Sequence, residues 1–194
     1  MNDFWFYIKL GFDHVLDFSA YDHILFLAAL AVPYTFKRWK QVLVLATIFT
    51  LTHCTSLALS AYNIVNVDVA LIEFLIPVTI ALTAISGAFR ALNDKGASSI
   101  AVVGAATAFF GLVHGFGFSN YFNMLMAEEE QKLTPLLGFA TGIEFSQVAI
   151  IFTVLLVAFL VQNILGLRQK YFVVLGCLII LLVTIPILYN TFPL

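Results

Sequence analysis

The sequence predicts an all-α membrane protein: a six-helix transmembrane bundle, residues 1–194 as one helical domain, led by a short N-terminal interfacial or re-entrant helix. Three observations predict it. Of the 194 residues, 62% are hydrophobic and only 10% charged, with a mean hydropathy of +1.02, whereas soluble domains run at about 45–50% and about 25%. Apolar stretches of the roughly 20 residues that a bilayer requires recur along the whole chain. Lys and Arg are concentrated between alternate stretches. A net charge of −2 and the lack of a basic stripe exclude a nucleic-acid partner.

Taken in order, residues 4–13 (FWFYIKLGFD) are too short to cross and carry aromatic anchors, which suits an interfacial or re-entrant helix. The predicted spans follow at 18–36, 41–62, 67–92, 98–126, 133–165 and 171–189. The fourth and fifth exceed a single crossing, so tilt, a break or an emergent end is expected of them. Between spans three and four, Asp94 to Ser99 reads as a turn and helix start. Lys37, Arg38, Lys40, Arg90, Lys95, Arg168 and Lys170 fall on one side of the predicted membrane. Lys9 and Lys132 fall on the other, beside the acidic run Glu128, Glu129 and Glu130. The positive-inside rule then places both termini outside the cytoplasm; the membrane expected is a bacterial inner membrane. The N-terminus lacks a basic region and a long apolar core, which argues against a cleaved signal peptide. Cys54 and Cys177 fall within apolar stretches, where a thiol acts as a small hydrophobe and no disulfide is expected.

Ionisable groups inside such stretches are costly and mark function by default. Asp22, His23, His53, Glu73, His114 and Glu144 are of this kind, and the predicted orientation sets all six between the midplane and the outer surface. His14, Asp13 and Asp17 would hang just above them. Adjacent Asp22 and His23 point about 100° apart on a helix, so one suits direct ligation and the other support from behind. Thr50 and His53 share a face one turn apart. Each residue also has a plainer reading: Asp22 as a helix-end cap, His53 as an interhelical hydrogen-bonding group, Glu73 as a protonated acid.

Two glycine patterns accompany these residues. Gly111 and Gly115 flank His114, with Gly117 beyond, and Gly138 and Gly142 precede Glu144 and Gln147. Small residues four apart let helices approach closely, and three glycines around one histidine also permit a local helix break. Such faces also offer a route to a homo-oligomer. Imidazoles combined with carboxylates suit nickel, cobalt, zinc, iron or copper. No HExxH helix, nucleophile elbow or phosphate-binding glycine loop occurs.

The blocks Gly11-x-x-His14, Tyr21-Asp22-His23-Ile24-Leu25-Phe26-Leu27, Thr50-x-x-His53, Ile72-Glu73, Phe110 to Phe118 and Gly142-Ile143-Glu144 together resemble the HupE/UreJ family. Members are small polytopic proteins associated with hydrogenase and urease clusters and regarded as nickel or cobalt permeases. The resemblance implies that His14, Asp22, His23, His53, Glu73, His114 and Glu144 handle a metal. Three functions fit these expectations. The first is a transporter of a divalent transition metal (Ni, Co or Zn). The second is an intramembrane zinc-dependent hydrolase with Glu73 or Glu144 as general base. The third is a non-catalytic membrane accessory subunit without metal.

Overall fold

The computed structural model describes residues 2–93, 99–126 and 131–193. The predicted turn at residues 94–98, Lys95 included, and the acidic run at 128–130 lie outside them. Among the described residues every regular element is helical: α1 (Asn2–Val15), α2 (Asp22–Ala31), a 3-10 turn (Phe36–Arg38), α3 (Trp39–Ala61), α4 (Val69–Leu92), α5 (Ile100–Leu125), α6 (Leu133–Ile164) and α7 (Gln169–Asn190). Five helices are long and apolar enough to cross a membrane, namely α3, extended by its preceding 3-10 turn, and α4 to α7. Their limits fall close to the predicted ones. At 32 residues, about 48 Å, α6 exceeds a single crossing and is unbroken.

The first predicted span is the correction: in place of residues 18–36 the chain forms a helix of 10 residues, about 15 Å long. Both limits have local causes. At the start, the Asp17 carboxylate accepts the Ser19 N–H at 2.7 Å, and the Asp17 carbonyl accepts the Ala20 N–H at 3.2 Å. This Asx-type turn competes with helix. At the end, Val32 still has helical backbone and donates to the Ala28 carbonyl at 2.9 Å, but Pro33 has no N–H to continue the ladder. The six predicted spans therefore become five: among the described residues there are seven α-helices, five of them of spanning length.

The N-terminal helix is not a surface anchor. α1 descends along α6, with Phe4 and Tyr7 at Gly138, and Ile8 and Phe12 at Gly142. A Cβ on Gly142 would collide with the Ile8 carbonyl oxygen, and one on Gly11 with that of Phe139. α5 lies equally close to α3: a Cβ on Gly111 would strike the Phe49 carbonyl oxygen, one on Gly115 that of His53. The helix pairs thus meet backbone to backbone. Both glycine faces are occupied within the chain rather than left for a second copy. Their use in packing also explains why α5 stays continuous through Gly115 and Gly117, with no local break.

Arg38, Arg90, Arg168 and Lys170 gather at one end of the bundle, the basic end. There Gln169 donates to the Pro33 carbonyl at 3.2 Å and Lys170 to that of Leu92 at 3.1 Å. At the opposite end Asn123 donates to Ser60 Oγ at 2.9 Å, and Lys132 to the Ala61 carbonyl. The core is stacked between these ends, with Phe26, Phe49 and Ile80 toward the basic side and Phe122, Phe139 and Ile143 toward the other.

Candidate metal centre

All four histidines of the chain meet in one place. His14 ends α1, His23 opens α2, and His53 and His114 lie in α3 and α5. The His23 ring is central: its centroid lies 4.6 Å from that of His14, 5.5 Å from His53 and 5.3 Å from His114. His53 and His114 are 0% and 1% exposed, and His23 4%. At 1.5 Å per residue, His53 is about 12 Å from the end of α3, and His114 about 16 Å from the end of α5. The cluster therefore sits well inside the bundle, nearer the end opposite the basic one. The close α3–α5 approach at Gly115 sets His53 and His114 at one level. The α1–α6 approach carries His14 in, where its ring packs on Phe118 at 3.9 Å and Phe139 at 5.5 Å.

The hydrogen bonds identify the tautomers. The Asp22 carboxylate accepts the His23 backbone N–H at 2.9 Å and lies 3.1 Å from His23 Nδ1. A carboxylate only accepts, so Nδ1 carries the proton and Nε2 presents its lone pair. At the other side, Thr79 donates its single hydroxyl proton to the Ile76 carbonyl at 2.7 Å. Its oxygen, 3.3 Å from His114 Nε2, is left to accept. His114 Nε2 is then protonated and Nδ1 is the free lone pair.

These and other ring nitrogens find no partner among the described residues. His14 Nε2, His23 Nε2, both nitrogens of His53 and His114 Nδ1 are buried without a hydrogen-bond partner among the described residues. Each orphaned polar atom costs about 1–3 kcal/mol, so native structures rarely hold them without water or an ion. Two sets of donor atoms lie mutually within 4.8 Å, one from His14, His23 and His53, the other from Asp22, His23 and His114. His23 belongs to both. Converging imidazole nitrogens with one carboxylate form a donor set for a first-row transition metal, and the orphaned nitrogens fit an ion as their missing partner.

The remaining acids are elsewhere. Glu73 is exposed on α4, whose start is capped by the Asp68 carboxylate accepting from the backbone of Ala70 and Leu71. Glu144 is half-buried and takes a long hydrogen bond of 3.5 Å from Thr47. Neither belongs to either converging set. Asp13 and Asp17 are exposed, and Asp13 pairs with Lys9 on the outer face of α1. Two polar residues deserve a place beside the cluster. Thr79 is a support that sequence reading passed over, one of many threonines in apolar helices. The other, Gln147, is buried with Nε2 unpaired, and its Oε1 accepts from Thr50 at 3.2 Å.

The match to known proteins covers nearly the whole of this architecture. A family model described as HupE / UreJ protein matches residues 1–190. The chain belongs to the HupE/UreJ family. No curated protein and no solved structure matches it. Membership of the HupE/UreJ family, five spanning helices and a convergent His/Asp cluster fit an integral membrane protein with a metal-related role.

Proposed function

We propose that this HupE/UreJ protein is a permease for a divalent transition metal of the nickel or cobalt class, with the ion as its cargo. The observation that carries the reading is the set of buried imidazole nitrogens, in four rings from four helices, with no hydrogen-bond partner among the described residues. His23, His53, His114 and His14 are the nitrogen ligands. Asp22 offsets part of the ion's charge and holds His23 with Nε2 facing inward, the arrangement in which a carboxylate orients a metal-binding imidazole.

Transport rather than storage is supported by the broken backbone at the cluster. α1 reaches the site from the end opposite the basic residues and stops there. α2 starts there and continues to the basic end. At about 21 and 15 Å, the two half-helices together match one crossing of a bilayer core of about 30 Å. Discontinuous helices meeting at a buried ion site are the usual construction of secondary transporters. With the basic end cytoplasmic by the positive-inside rule, the site faces the outer half of the membrane and both termini lie outside. The hydrolase reading is weaker because it needs a base beside the metal-bound water, and both Glu73 and Glu144 stand apart from the converging sets.

Proteoliposomes loaded with a metal-sensitive dye test the proposal. Nickel or cobalt influx should appear with the intact chain and vanish with His114→Ala. Influx unchanged by His114→Ala in a folded protein would refute it, as would tight metal binding with no influx at all.

A further inference from the structure

A second chemistry-bearing feature lies at the basic end. A cavity of about 630 Å³ opens between α2, α4, α5 and α7, within the range of about 300–1,000 Å³ typical of ligand pockets. Its lining is mixed: the cations Arg38, Arg90 and Lys170 share it with Tyr34 and Ser86 and with the apolar Phe26, Phe110 and Val103. Among the described residues no carboxylate lines it. Leu82 of α4 and Val102 of α5 flank it and are 53% and 65% exposed, so it opens sideways onto the surface that faces lipid.

The positive-inside bias explains why arginines occur at this end. It does not explain why Arg90 Nη1 is buried with no acceptor among the described residues. Burial pushes the Tyr34 phenol up from its ordinary value, and Arg38 and Arg90 both act in the opposite sense. Tyr34, Arg38 and Arg90 all line this one cavity. Three cations without a lining acid make a poor conduit for a divalent cation. They make a good seat for a phosphate group, because guanidinium pairs with phosphate through paired N–H donors.

We propose that this cavity binds an anionic phospholipid, with the phosphate held by Arg90 and Arg38 and an acyl chain leaving through the gap between Leu82 and Val102. Basic pockets between helices on the cytoplasmic side commonly recognise such headgroups. The inference depends on the chain lying in a membrane and not on the metal reading.

Thermal unfolding and native mass spectrometry of the detergent-purified chain test it. The probes are short-chain phosphatidylglycerol, the phosphatidylcholine of equal chain length, and inorganic phosphate. Phosphatidylglycerol at a hundredfold excess over its Kd should raise Tm by about 5–10 °C and remain bound in the gas phase. Arg38→Gln/Arg90→Gln should weaken binding about tenfold or more with metal content unchanged. Equal protection by phosphatidylcholine would overturn the proposal, as would undiminished binding by the folded double variant. Protection by inorganic phosphate equal to that by the lipid would replace it with a free-anion site. The comparison of headgroups on the unmodified chain decides the matter even if the double variant does not fold.

Discussion

Gly115→Ala and Gly104→Ala make the same chemical change eleven residues apart on one face of α5, against the same neighbour, yet opposite outcomes are expected. A Cβ at Gly115 would overlap the His53 carbonyl oxygen and Ser56 Oγ and stand 3.0 Å from the His53 carbonyl carbon. Ser56 can rotate, but the carbonyl belongs to a rigid helix, so α3 and α5 must part. Overpacking of this kind costs about 1–3 kcal/mol. At about 2–4 °C per kcal/mol for a chain of this size, Tm should fall by about 2–12 °C, and the metal should be lost as His53 and His114 separate. At Gly104 the nearest atoms to a new Cβ are Ile48 Cδ1 at 3.4 Å and Leu45 Cδ2 at 3.9 Å, both ends of flexible side chains. There the gain from replacing a helix-interior glycine, up to about 1 kcal/mol, dominates. Tm should hold or rise. The assay is thermal unfolding in one detergent with metal quantified on the same samples. Equal Tm values for the two variants would refute the backbone-contact account of how the cluster is assembled.

Further outcomes follow from the cluster itself. His23→Ala should abolish metal binding, because His23 belongs to both converging sets, whereas His53→Ala should leave weaker binding by Asp22, His23 and His114; isothermal titration with nickel or cobalt separates the two. Asp22→Asn keeps an acceptor for His23 but removes the charge, so affinity should drop about 10–100-fold with Tm unchanged. Thr79→Val deprives His114 Nε2 of its acceptor and should cost a similar factor, which Thr79→Ser should restore. Glu73→Gln and Glu144→Gln should leave metal stoichiometry as it was, measured by elemental analysis, since neither carboxylate joins the converging atoms.

Much of this arrangement was legible in the residues, and the parts that were not have physical reasons. Long apolar runs announce spanning helices because hydrocarbon demands them, and α3 to α7 follow. The α1–α2 break was hidden, since the apolar count over residues 18–36 outweighs one Asx turn at Asp17 and one proline at position 33. Depth reasoning brought His23, His53 and His114 to one level, as the geometry has them. Depth read from the sequence is coarse, however: Glu73 lies six residues, about 9 Å, along α4 from Thr79, which meets His114, and Glu144 meets Thr47, six residues along α3 from His53. His14 lies on a helix too short to cross, and only the backbone contacts at Gly11 and Gly142 draw it inward. Thr79 matters through one lone pair on its hydroxyl, which leaves no trace in a sequence.

Metal quantification on protein purified without added metal, set beside His23→Ala under identical handling, tests the central claim most directly. The intact chain is expected to retain a near-stoichiometric first-row transition metal through desalting, and the variant to emerge folded and empty. An intact chain as empty as the variant, and unable to take up nickel, cobalt or zinc on titration, would mean that the buried imidazoles are partners to something other than an ion.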